Sequence, residues 1–408
     1  MNRYLFMNHY LGLALVFLAS PLLAADWPQW LGPKRDGIST ETIKPWKGEL
    51  KVLWKQPVGP GHSSPVIADG KVYLHTRVPG KEEEALSAFD AVEGKKLWSR
   101  SYPRAKFWTL FGTGPQATPA VADGKVFTYG ATGILTAFEA TKGDTLWQVD
   151  TEKDFQVKRL PFGAACSPLI DGKNVIVNVG GKQGSIVAFE MNQGSVVWKA
   201  LDDPASYSSG IRVGDQLVFL TQRGVRGLAP ADGKLLWEYR LIDKLDESAT
   251  TPVVSGDWLL VTSITQGMVG LKRQADGTYK EMWSNKEITC YFSTPVPVGE
   301  HFYAVTGKLG LGVTSTLHCV ETATGKIKWS KPRVGTYHAA MLRTADNKLL
   351  FLSDFGDLLL LQPDPKEYKE LARTKVTKKD GIWAHPALAN GRVYLRDDKE
   401  LICVEMPQ

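Results

Sequence analysis

A phrase repeated eight times, a tight turn inside each copy and a tryptophan closing most copies predict an all-β fold, an eight-bladed β-propeller of four-stranded blades. The phrase reads small residue, Ser or Thr, Pro, two apolar residues, Asp-Gly, two alternating runs, Gly and, a few residues on, Trp. Clear copies open at Ser64-Pro65, Thr118-Pro119, Ser167-Pro168, Thr251-Pro252 and Thr294-Pro295. Three more are degenerate but in register. Gly210 and Ala340 stand where Pro is expected, and His385-Pro386 opens the last. The mean spacing is about 46 residues, the length of a four-stranded unit.

Each element follows from local chemistry. The first hairpin of each blade is expected to turn at Asp69-Gly70, Asp123-Gly124, Asp171-Gly172, Gly214-Asp215, Gly256-Asp257, Gly299-Glu300, Asp346-Asn347 and Asn390-Gly391. Gly, Asn and Asp tolerate the positive φ that tight hairpins demand. The third strand alternates, as in Leu86-Ser87-Ala88-Phe89 and Leu135-Thr136-Ala137-Phe138. A Gly turn follows, then the closing Trp98, Trp147, Trp198, Trp237, Trp283 or Trp329. The seventh blade has no Trp near Leu371-Ala372-Arg373. The eighth lacks an outer strand before the chain stops at Gln408. Val52-Leu53-Trp54-Lys55 reads like such a strand with no blade before it, so residues 52–55 are expected to complete the last blade and close the ring. Trp54 and the six closing tryptophans are then blade-packing residues.

The chain divides into three parts. Residues 1–24 read as a secretory leader: Arg3, an apolar run from Tyr10 to Leu18, and Pro21-Leu22-Leu23-Ala24-Ala25 with small residues at its end. Residues 25–49 form an arm with Trp27, Trp30 and Trp46, too apolar for a free tail. Residues 50–408 are the propeller. No other run is long and apolar enough to span a bilayer as a helix. The expectation is an exported, periplasmic or extracellular, monomeric ring. Cys319 and Cys403 occupy the repeat position of Ala88, and none of the four cysteines is adjacent to another, so buried free thiols are expected. The formal charge is +6, or +5 without Arg3, with basic residues scattered. The exception is a rim loop holding Arg104 and Lys106 beside Phe107, Trp108 and Phe111. One such loop on an exported ring points to a packed rim or a protein contact, not nucleic acid.

No nucleophile elbow, zinc-protease helix or phosphate loop appears. Gly180 to Gly184 is glycine-rich but lies between two strands, so it is a turn. Ligands of a propeller meet the mouth of its central channel, where the inner strands begin. Three residues before the repeat Pro stand His62, Gln116, Ala165, Tyr207, Ala249, Phe292, Tyr337 and Trp383, with Tyr291, His338 and His385 close by. Aromatic rings and imidazoles in one ring compose a recognition surface. No metal site is assigned.

The Ser/Thr-Pro-Val-x-x-Asp-Gly openings and the Ala-x-x-Gly-x-x-x-Trp closures, such as Ala91 to Trp98 and Ala140 to Trp147, resemble the PQQ-like (quinoprotein alcohol dehydrogenase-like) propeller family from about Leu50 to Glu405. The segment Asp26 to Gly37 also looks like the opening of exported proteins of this type. The resemblance implies one of two roles. The quinoprotein dehydrogenases use PQQ with calcium, an Asp base and a vicinal Cys-Cys disulfide. Here no two cysteines are adjacent and no calcium-ligand spacing stands out. The outer-membrane-protein assembly propeller is an eight-bladed scaffold without cofactor, similar in size, but this chain lacks its lipid-anchor Cys. The expected role is a non-catalytic scaffold for a protein partner or envelope ligand, with no cofactor. A PQQ-dependent oxidoreductase and a carbohydrate or polymer binder at the channel mouth are the alternatives.

Overall fold

The computed structural model describes residues 26–110, 112–307, 314–377 and 382–408. The expected leader over 1–24 and Phe111 lie outside them. Eight four-stranded antiparallel sheets, seven of them built from consecutive segments, form the ring. Blade one runs outward through Val66–Ala68, Lys71–Arg77, Glu83–Asp90 and Lys96–Pro103. Its inner strand touches the inner strands of blades two and eight, Ala120–Ala122 and Ala387–Ala389. Blade eight takes its outer strand from the start of the ring: Val52–Pro57 pairs antiparallel with Glu400–Glu405. The ring is therefore closed by hydrogen bonds between its two ends, and no blade is left with an uncovered face.

Six of the first hairpins turn where expected. Asp69 and Asp123 take φ of 50° and Asn390 takes 55°, each followed by a left-handed Gly. Two turns differ. In blade three Asp171 pairs with Asn174, so the turn is Gly172-Lys173. In blade seven Arg343 pairs with Leu349 and the turn is the five-residue Thr344–Lys348 connection. Asp346-Asn347 lacks a Gly. The wider loop is stitched by Thr344 Oγ1, which donates to Asp346 and accepts from Lys348 N at 3.0 Å, and the arm leans on it through Ala345 N to Glu41 O, 2.8 Å.

Two rings of contacts lock the blades. The outer ring is made by the tryptophans. In every blade a β-bulge interrupts the pairing of the third and fourth strands beside the Trp position. The bulge aims the indole at the next blade, over a small cross-strand partner: Ala88 for Trp98, Ala188 for Trp198, Gly227 for Trp237, Cys319 for Trp329 and Cys403 for Trp54. Most of the indoles lie against the left-handed turn Gly of the neighbouring blade. A Cβ on Gly94 would sit 2.5 Å from Trp54, one on Gly143 2.4 Å from Trp98, and one on Gly233 2.5 Å from Trp198. The indole N–H then reaches a backbone carbonyl there: Trp54 to Ala91, 3.3 Å; Trp98 to Ala140, 3.2 Å; Trp147 to Met191, 3.0 Å; Trp198 to Pro230, 3.0 Å; Trp283 to Thr322, 2.9 Å; Trp329 to Asp364, 2.8 Å. All seven repeat tryptophans, Trp198 included, stand at blade junctions. Trp237 alone reaches a side chain instead. The neighbouring turn is longer, and Gln216 bridges the gap. It accepts from Trp237 at 2.7 Å and donates to Gly277 O at 3.1 Å.

The inner ring is made by the Ser/Thr of the repeat. Ser64 N donates to Thr118 Oγ1, Thr118 N to Ser167 Oγ, Ser167 N to Ser209 Oγ and Thr251 N to Thr294 Oγ1, at 2.9–3.3 Å. His385 N makes the same contact from blade eight onto Ser64 Oγ at 2.9 Å. Each hydroxyl thus satisfies a buried N–H of the preceding blade that has no sheet partner.

The Trp-less junction between blades seven and eight is filled differently. Leu360 and Ala372 exchange the usual small and large positions. Ile43 and Trp46 of the arm are buried in the core that blade seven shares with blades eight and one. The four cysteines are free and buried. Trp54→Ala is expected to lower the unfolding free energy by about 3–5 kcal/mol, as for other buried Trp truncations. Urea denaturation reads this directly, and a loss below about 1 kcal/mol would show that ring closure does not lean on the indole.

Candidate functional site

The arm crosses the axis of the ring. Trp27 forms a bridge with Ile67 in blade one, and Pro28 O accepts from Val121 N in blade two at 2.8 Å. Arg35 is buried and donates to Gly210 O at 2.9 Å, Pro168 O at 2.7 Å and Ser167 O at 3.1 Å, in blades three and four. Trp30 Nε1 donates to Thr251 Oγ1 in blade five at 2.8 Å, and its ring meets His385 of blade eight edge-on at 4.6 Å. Ile38 then pairs with Arg343 in blade seven. A segment of some dozen residues that touches seven blades can only lie across the channel. It plugs it.

Above the plug is a cavity of about 130 Å³. Trp30 is its floor, and the starts of the inner strands are its walls. His62, Gln116, Ala165, Tyr207, Ala249, Phe292 and Trp383 all line it, as do Tyr291 and His385. These come together because the repeat places the same position of every blade at the same height. Tyr337 and His338 do not reach the cavity wall. They stack on Trp383, at 6.0 and 5.0 Å between centroids. His62 also stacks on Trp383, at 5.2 Å, and Phe292 meets it edge-on. The histidines of blades one, seven and eight are thus arranged around rings, not around a common point.

Three lining residues carry no repeat signal: Trp30 from the arm, and Phe162 and Glu247; the repeat serines Ser167 and Ser209 complete the lining. Phe162 O accepts from Gln116 Nε2 at 2.8 Å, and its N–H donates to Tyr207 Oη at 3.2 Å. Glu247 accepts from the Tyr291 hydroxyl. It is the one charged residue among those lining the cavity. Burial, then the Glu247 carboxylate, pushes the Tyr291 phenol well above its usual range.

The rim loop divides into two. Arg104 and Phe107 face inward. Arg104 donates to Glu84 Oε1 at 3.0 Å and to Glu82 at 3.3 Å, over the Phe107 ring. Glu84 also accepts from Tyr102 at 2.9 Å and Ala131 N at 3.1 Å, and Tyr102 meets His75 Nε2 at 2.8 Å. This buried network joins blades one and two, so Arg104 is spent on structure. Lys106 and Trp108 face solvent; Trp108 is 71% exposed and Leu110 79%. The loop returns past the mouth, where His62 N donates to Pro115 O at 2.9 Å.

A quinone cofactor does not fit this site. PQQ is a fused ring bearing carboxylates, and its calcium takes six to eight oxygen ligands. The cavity offers one carboxylate, already bonded to a phenol, and no cation in its lining. Among the described residues no three His, Cys, Asp or Glu side chains stand together as metal ligands. The axial position is filled by the chain's own Trp30 and Arg35.

The repeats and the closed ring define a propeller of the PQQ type. The family model described as outer membrane protein assembly factor BamB matches residues 48–107 and 104–331, and the chain belongs to that family. The BamB of Shewanella oneidensis is 24% identical over 268 residues, covering 61% of this chain and 65% of its own length. The chain thus spans just under two thirds of that relative. The structure of BamB from Moraxella catarrhalis superposes with a TM-score of 0.63 at 15% identity, covering 88% of this chain and 98% of that one. The quinohemoprotein alcohol dehydrogenase of Comamonas testosteroni superposes at 0.69 with 13% identity, covering 94% and 82%. At such identities these two likenesses concern the fold alone.

Two outcomes follow. Arg35→Met leaves three buried carbonyls without a donor and is expected to cost about 3 kcal/mol in urea unfolding. Burial holds His75 down to about 4, against partial compensation by Glu84. Burial, then Arg396 and His338, holds His62 down to about 3, and burial with His338 holds His385 to about 3. Unfolded histidines titrate near 6.5, so below that pH the unfolded chain binds protons the folded chain refuses. Stability is full above about pH 6.5 and falls towards pH 4, by up to ~1.4 kcal/mol per pH unit for each histidine. The urea midpoint should therefore be lower at pH 5 than at pH 7.5, and His75→Asn should reduce the slope; an unchanged midpoint would contradict it.

Proposed function

We propose that this chain is a non-catalytic scaffold of the cell envelope that gathers a protein partner on its mouth face. One observation carries the reading: an aromatic cavity, closed below by the arm, opens beside a loop that exposes Trp108 and Leu110. A large aromatic in the open next to a small pocket is how binding hot spots are composed. Membership of the BamB family supports it, as does the lack of any donor set for redox chemistry in the lining. The leader read in residues 1–24 would deliver the ring across the inner membrane, and no helix among the described residues is long and apolar enough to cross a membrane. The carbohydrate or polymer alternative draws on the same rings, but a blind cavity gives a polymer no path along the axis.

Site-specific photocrosslinking in intact cells tests this. A crosslinker at Trp108 is expected to give a discrete adduct with an envelope protein, and one at Asp257, in a hairpin turn on the opposite face, is expected to give none. Trp108→Ser with Leu110→Ser should weaken capture of that partner about tenfold or more. Equal adducts from both faces, or none from either, would contradict the reading.

A further inference from the structure

Within that scaffold reading, we propose that the mouth cavity receives the alkylammonium end of a basic side chain carried by the protein partner. The walls are aromatic faces and edges: Trp30 below, Phe162 with Tyr207 on one side, Phe292 with Trp383 on the other. Such rings attract a cation through their quadrupoles, and more so where water is excluded. The one formal charge in the lining is Glu247, held by the Tyr291 hydroxyl between the blades. No Lys or Arg lines the cavity. Two buried guanidinium groups lie outside the lining. Arg35 is bonded to three backbone carbonyls, and Arg396, whose charge is felt at His62, donates to Asp397 O at 2.9 Å and Gly59 O at 2.9 Å. In the lining itself an anionic ligand would meet a carboxylate and no counter-charge.

The histidines add to the same selectivity. His385 is buried, and its Nε2 has no hydrogen-bond partner. Both His385 and His62 are held neutral by burial, so neither repels a cation at neutral pH. Size sets the class. A cavity of about 130 Å³ is well below the several hundred of a drug-sized site and suits one side chain. Exposed Trp108 and Leu110 stand beside the mouth for the rest of the partner.

The test is titration of the full chain, followed by calorimetry and tryptophan fluorescence, with Nα-acetyl-lysine methylamide, its norleucine counterpart and tetramethylammonium. The lysine probe is expected to bind saturably, at least roughly threefold tighter than norleucine. Glu247→Gln keeps an acceptor for Tyr291, so it should leave the circular dichroism and melting point in place while removing that preference. Phe292→Leu should weaken the lysine probe without touching the fold. Lysine and norleucine within roughly threefold of each other, no binding of either up to roughly 50 mM, or a Glu247→Gln protein that keeps the preference would overturn the proposal. Tetramethylammonium bound more tightly than lysine would overturn it too, and would make the cavity a site for quaternary headgroups. Lysine binding as expected, with no adduct at Trp108, would retain the cavity's chemistry and reject the scaffold.

Discussion

An indole laid on a glycine turn is the contact on which this ring depends. It recurs around the circle, from one blade to the next, and it explains residue choices far apart in the chain. The turn must be Gly because a Cβ at Gly94, Gly233 or Gly325 would enter the ring of Trp54, Trp198 or Trp283. The cross-strand partner must be small because the indole passes over it, so Ala, Gly or Cys occupies that slot. The bulge beside the Trp turns it outward from its own sheet. A ring built of such nearest-neighbour contacts is only as sound as its weakest junction. Two junctions receive special treatment. The two ends of the ring are joined by Val52–Pro57, which carries its own Trp, and the junction without a repeat Trp is packed with Ile43 and Trp46.

The arm gives the ring its function-bearing shape. A propeller with an empty axis has a channel; this one has a bowl. Arg35 anchors the plug by bonding to carbonyls of two blades, and Trp30 becomes the bottom of the bowl. Burying a guanidinium is costly, and burial holds Arg35 down to about 10, which still leaves it charged at neutral pH. The same ring architecture carries the quinohemoprotein dehydrogenase of Comamonas testosteroni and the BamB of Moraxella catarrhalis. At the axis of this ring stands the chain's own tryptophan.

The ring was legible because its signals are local and repeated. Two-residue turns, alternating strands and the Trp at a fixed distance from Gly each reinforce the others. The mouth was legible to the same degree: seven of the eight positions three before the repeat Pro line the cavity, because the repeat fixes their height. Tyr337 misses it because Trp383 lies against it. The remainder followed no period. Glu247 and Phe162 come from connections between blades, whose paths the repeat does not constrain, and Trp30 and Arg35 come from an arm with no second copy. The arm's two early tryptophans signalled that it docks; nothing in them said where. The Thr344–Lys348 turn escaped for a related reason, since its width is set by the arm running beside it. Whether Arg104 packs inward or meets a partner stayed open in the sequence, because Glu84, twenty residues earlier, gives no sign there of being buried with it.

Amide hydrogen exchange of the native protein tests the central claim, that closure and plug are integral to one rigid bowl. The ladder-bonded amides of the strand Val52–Pro57, and those of Trp27 and Ser39 with their partners Ile67 and Arg343, should be protected as strongly as the strands of blade one. Fast exchange of the arm amides beside a protected ring would mean an open channel, and a mouth without a floor.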